Sequence, residues 1–262
     1  MKFILVVKFY FLGILYINAQ SFGIDGTIRG CLNNWVYLSD YGKNKNIDST
    51  VCKNGFFSFT GELSEPKMIK LHQVNDKSWS VFFIEPGKIY FEATKDSLWY
   101  PKIKGSKINE IHLEYEFNVI NPIRERLIHY SILKENLNPI KDSTEIKLCN
   151  NKIDSLYAES LEKTVKLIRQ NSNNFISIYF LNIQYGAIGL DKSKELLTNI
   201  DDKIKNTPTG RSLTSKIYKI GKLNIGDLIP NFILTDINTK LVSSKSFLGK
   251  ALFLFNFARF RF

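Results

Sequence analysis

Cysteine and histidine are scarce in this chain, and their scarcity narrows the chemistry. Three cysteines, Cys31, Cys52 and Cys149, are spaced 21 and 97 residues apart, so no Cys-x-x-Cys pair exists. An odd count leaves at least one thiol free or paired between chains. A Cys31–Cys52 bridge within one small domain stays open, although buried free thiols are the commoner state where no spacing argues for pairing. His72, His112 and His129 lie far apart, with no metal-ligand neighbour at the usual spacings, so no zinc site is expected. No catalytic, cofactor-binding or metal-ligating residue is assigned, and no cofactor is expected.

Arginine, the usual base-reading residue, is also scarce, and no run of five like charges occurs. The formal charge of +11 comes mostly from lysines scattered among Asn and Ile. That pattern implies weak attraction to anionic surfaces and no nucleic-acid partner. With 262 residues, 44% hydrophobic and 13% aromatic, the chain can fill a real core. Its length suits one large domain or two small ones.

The N-terminus reads as an address. Met1 to Lys8 carries two lysines and no acid, and Phe9–Ile17 is an apolar run of nine residues. Asn18-Ala19-Gln20 follows. Basic start, short apolar stretch and small residue at the cut make a signal peptide over 1–19, cleaved after Ala19. Even counted from Phe3 the stretch is 15 residues with Lys8 inside it. A membrane span needs about 20, so no stable anchor remains after cleavage. Losing Lys2 and Lys8 takes the charge from +11 to +9. The expected location is periplasmic or otherwise extracytoplasmic.

Residues 22–107 read as an antiparallel β domain, a sandwich or open barrel. Short strands are expected at Phe22–Gly30, Trp35–Leu38, Asp48–Val51, Phe56–Phe59, Met68–Gln73, Trp79–Ile84 and Lys88–Ala93, with turn residues between them. Asn54-Gly55 is the strongest signal, because both central residues of a tight hairpin turn must reach positive φ. Residues 108–223 read as helical. Ile111, Tyr115, Val119, Ile123 and Leu127 recur at helical spacing, and Pro122 should kink or divide that helix. Ile146, Ile153, Leu156, Tyr157, Leu161, Val165 and Ile168 mark a clearer amphipathic helix. Phe175–Tyr185, Lys192–Ile204 and Thr209–Leu223 follow as shorter ones. These stripes are read as packing faces.

Residues 224–262 differ again. Gly226, Pro230-Asn231-Phe232, Asp236, Lys240, Ser243-Ser244 and Gly249-Lys250 precede the apolar strand Ala251–Phe257. This order resembles the opening of the thioredoxin-like domain in TlpA-type and AhpC/TSA-type proteins. Asn231 stands where that pattern usually has Asp, and Thr239 where it has Gly. Residues 22–107 resemble a second family, the domain of unknown function 4369. That likeness rests on Gly26-x-x-x-Gly30 before Val36-Tyr37-Leu38, on Asp48 through Asn54-Gly55-Phe56-Phe57-Ser58-Phe59-x-Gly61, and on Ile84-Glu85-Pro86-Gly87-Lys88-Ile89 with Gly105-Ser106. The expected class is therefore α+β, with an N-terminal β-sandwich or open barrel, a helical middle and an incomplete thioredoxin-like α/β fragment.

The resemblance implies an exported thiol-disulfide oxidoreductase or peroxidase relative. Such an enzyme needs a thiolate of lowered pKa and a second, resolving thiol, or one peroxidatic thiol, just beyond the strand matched here by Ala251–Phe257. Ala258-Arg259-Phe260-Arg261-Phe262 stands there instead, so this chain is expected to be inactive as written. The alternative is a non-enzymatic extracytoplasmic module that binds a protein partner or ligand through the β domain. The expected partners are an envelope protein or a thiol-redox partner, with self-association through the uncovered strand 251–257.

Overall fold

The computed structural model describes residues 20–43, 45–73, 78–220, 233–235 and 239–247. Residues 20–104 form eight strands, several of them alternating apolar and polar residues: β1 (Gln20–Arg29), β2 (Asn34–Asp40), β3 (Lys45–Cys52), β4 (Phe56–Leu63), β5 (Lys67–Gln73), β6 (Trp79–Ile84), β7 (Gly87–Thr94) and β8 (Lys102–Lys104). They form two open four-stranded sheets, ordered β4-β1-β7-β8 and β3-β2-β5-β6. Inward residues of both sheets, among them Ile24, Ile28, Val36, Leu38, Leu71, Phe82, Ile89 and Phe91, make one buried core. Each such side chain contributes about 1.5–3 kcal/mol when fully buried.

One feature departs from the antiparallel sandwich or open barrel expected from the sequence: β1 and β7 pair in parallel, with Ile24 opposite Ile89 and Gly26 opposite Phe91. The chain leaves the second sheet at Ile84 and enters the first at Gly87. That two-residue change of sheet lays β7 beside β1 in the same direction. Period-2 alternation marks a strand without specifying its direction.

The Asn54-Gly55 turn forms as its composition demands. Asn54 has φ 51° and Gly55 φ 87°. Lys53 and Phe56 exchange both backbone hydrogen bonds, at 2.8 and 2.9 Å. The ladder ends there, because β3 and β4 then diverge into different sheets. The hairpin is a corner between layers. Gly26 serves a different need: a Cβ there would lie 1.9 Å from the Phe57 ring, its cross-strand partner. The aromatic ring occupies the space that the missing side chain leaves.

Helices follow: α1 (Lys107–Tyr115), α2 (Asn121–Glu135), α3 (Ser143–Gln170), α4 (Phe175–Ile188), α5 (Leu190–Asn199), α6 (Asp202–Lys205) and α7 (Pro208–Ile220). A π turn at Glu116–Ile120 separates α1 from α2. Pro122 falls in the first turn of α2, where its missing N–H is tolerated. Ser106 caps α1 by accepting the Asn109 N–H at 3.2 Å. The Asn109 amide in turn bonds both backbone groups of Phe83, each at 2.8 Å. It thus satisfies part of the open edge of β6. A second core joins Met68 and Phe83, from the outward face of β5 and β6, to Ile108, Ile168, Ile178, Leu181 and Leu213.

The sequence stripe on α3 faces inward in the fold: Leu156 and Ile168 are buried and Ile146, Ile153, Leu161 and Val165 half-buried, with Cys149 and Leu167 buried on the same face, and Tyr157 alone of the stripe is 44% exposed. The chain divides into two compact units between Ile217 and Tyr218. In the second, β9 (Ile233–Thr235) and β10 (Leu241–Ser243) pair antiparallel, and a 3₁₀ turn covers Ser244–Phe247. The expected signal peptide at 1–19 and the strand 251–257 lie outside the described residues.

Candidate functional site

The outward face of the β4-β1-β7-β8 sheet carries no helix among the described residues and forms an open concavity of about 1000 Å³. Strand register sets its pattern. Ser58, Asp25, Tyr90 and Lys104 make one row across the four strands. Phe56, Thr27, Glu92 and Lys102 make the next. Phe56 is 65% exposed and Tyr90 50%. On a contact surface such rings supply area at low conformational cost.

Charge is arranged between the rings. Arg29 pairs with Glu92 at 2.5 Å, and Lys88 with Asp25 at 2.6 Å. The Asp25 carboxylate beside Lys88 holds that ammonium above the usual lysine range. Lys88 also sits 5.4 Å from the centre of the Tyr90 ring. Lys53, Lys102 and Lys104 line the same concavity with no acidic partner among the described residues. The face therefore combines two exposed rings, two carboxylates held by cations, and three further cations.

All three cysteines are free and buried. The Gln73 amide N–H donates to Cys31 Sγ at 2.6 Å, and the Cys52 thiol faces the Cys31 carbonyl oxygen at 4.0 Å. Burial, with the neighbouring Cys31 thiol adding to it, pushes the Cys52 thiol well above its ordinary range. A reactive thiol needs the opposite shift. Cys149 lies on α3, away from that pair in the fold.

The histidines stay apart as well. His72 stacks on Tyr37, and its Nε2 meets the Ser39 hydroxyl at 2.9 Å. Burial lowers its pKa. His112 is buried in α1 against the edge of Phe83, with Nδ1 unpartnered, and burial takes its pKa down to about 4. His129 is exposed on α2. Among the described residues no group of three or more His, Cys, Asp or Glu side chains is placed to hold a metal ion. Nor is any described helix long and apolar enough to cross a membrane.

Sequence reasoning missed this face. Its members are ordinary polar residues at alternate positions, and β8 is a three-residue Lys-Ile-Lys strand too short to announce itself. The available signal was Phe56, an aromatic directly after a tight turn on the polar side of its strand.

Comparison with known proteins bears on the same region. No curated protein matches the chain. The family model of a domain of unknown function, DUF4369, matches residues 22–111, so the similarity covers the N-terminal β region and reaches into α1 past the Asn109 clasp on β6.

Proposed function

We propose that this chain is an exported relative of the TlpA-type and AhpC/TSA-type thiol-disulfide oxidoreductases, and that its N-terminal unit acts as a binding module without dithiol chemistry. The observation that carries the reading is a contrast within one small fold. The thiols are buried and, at Cys52, shifted away from reactivity, while the aromatic and cationic sheet face stands open. The oxidoreductase kinship rests on the Pro230-Asn231-Phe232 to Gly249-Lys250 pattern. The β9–β10 hairpin, with Leu241 opposite Thr235, suits that pattern. Extracytoplasmic location rests on the signal-like sequence of residues 1–19.

Two measurements test it. Purified chain in an insulin-reduction assay should match a buffer blank, and activity abolished by Cys149→Ser would refute the non-catalytic part. N-terminal sequencing of the extracytoplasmic fraction should begin at Gln20 or Ser21. Intact Met1 confined to the cytosol would refute export.

A further inference from the structure

We propose that the outward face of the β4-β1-β7-β8 sheet binds an acidic oligosaccharide, a chain of sugars bearing carboxylates. This inference rests on reading that face as the binding surface and adds the chemistry of its ligand. Three properties of the face select the ligand. Phe56 and Tyr90 present exposed rings on different strands and in adjacent rows, so an extended ligand can cover both. The apolar C–H face of a sugar ring packs on such platforms. Lys53, Lys102 and Lys104 supply cations that no described acid neutralises, so the ligand should carry negative charge.

The third property excludes simpler anions. Asp25 and Glu92 sit on the two inner strands, Asp25 between Ser58 and Tyr90 and Glu92 between Thr27 and Lys102. A carboxylate accepts hydrogen bonds and donates none. A phosphate backbone brings only acceptors and more negative charge to that position. A sugar brings hydroxyl donors for Asp25 and Glu92, and for the Thr27 and Ser58 hydroxyls beside them. Sugar carboxylates can then meet the lysines. A ligand with both hydroxyl donors and anionic groups matches both halves of the pattern.

The experiment is titration of the full chain with four probes: an oligogalacturonate, its neutral oligogalactan counterpart, a polyglutamate peptide and an oligo(dT). The oligogalacturonate should bind, and the neutral sugar should bind at least about tenfold more weakly. Phe56→Ala with Tyr90→Ala should weaken binding about tenfold or more, since loss of a stacking platform has that scale. Lys102→Ala with Lys104→Ala should do the same and flatten the salt dependence. Thermal unfolding of each variant should match the native chain, which separates lost binding from lost folding. Equal binding by the variants would overturn the site. Equal or tighter binding of polyglutamate or oligo(dT) would overturn the ligand class. A benzophenone side chain in place of Ser58, irradiated in the producing cells, separates the two failures. Protein adducts with no glycan affinity overturn the sugar alone, whereas no adduct of any kind overturns the binding reading as well.

Discussion

The two sheets of the sandwich share one core and differ on their outward faces. On β5 and β6 the outward residues include Met68, Val81 and Phe83, and helices cover them. On β1, β4, β7 and β8 they include Asp25, Thr27, Ser58, Glu92 and Lys102, and nothing in the described fold covers them. The contrast is visible in residue type before any contact is measured. A strand buried on both sides loses its alternation, as Val81-Phe82-Phe83-Ile84 does. A strand with one wet face keeps it. Against that background Phe56 and Tyr90 stand out, because they are aromatic on a face that folding alone would fill with polar groups.

The largest expected effect comes from breaking the covered face. Phe83→Ala removes a fully buried ring from the second core and should cost about 3–5 kcal/mol by denaturant unfolding. Phe56→Ala on the open face should cost less than about 0.5 kcal/mol. Similar losses at the two positions would erase the distinction.

Acid provides a slightly smaller break on the same side. His112 has a folded pKa of about 4, lowered by burial, with Glu116 only partly opposing. Its unfolded value is about 6.5, so the unfolded chain binds the extra proton between the two. Stability should be complete above the unfolded value and fall as pH drops through the window toward the folded one. The loss is about 3 kcal/mol in all. His112→Leu should flatten that part of the profile, and an unchanged profile would show that His112 is not buried as described.

Gly26→Ala sharpens the comparison from the shared core. The added Cβ meets the Phe57 ring. Overpacking should cost about 1–3 kcal/mol. Phe57→Leu should recover part of it in the double variant, measured as a double-mutant cycle. At the small end, Lys102→Ala should leave the unfolding midpoint within experimental error, because an exposed lysine with no described acidic partner contributes little.

Much of the β region was legible because its signals are local. Asn54-Gly55 dictates a turn through φ alone, and β1, β4 and β7 follow their alternation. Pro122 announced the break between α1 and α2. What the sequence hid was non-local. Nothing in β7 states that it lies parallel to β1, since direction follows from the change of sheet between Ile84 and Gly87. On the 28-residue α3 the stripe was legible and only its edge was not: Leu156 and Ile168 are buried, while Tyr157, next to Leu156 in sequence, falls on the exposed side. The sheet face was hidden because it too is non-local. Lys102, Glu92, Thr27 and Phe56 become neighbours only through three strand pairings of two different senses.

The central claim is that the open sheet face, and not the helical side, meets the ligand. Residue-resolved acetylation of lysines in the full chain, read by mass spectrometry with and without oligogalacturonate, tests it most directly. The account predicts slower labelling of Lys53, Lys102 and Lys104, with Lys134 and Lys152 on the helices unchanged. Protection spread evenly over all these lysines, or confined to Lys134 and Lys152, would contradict it.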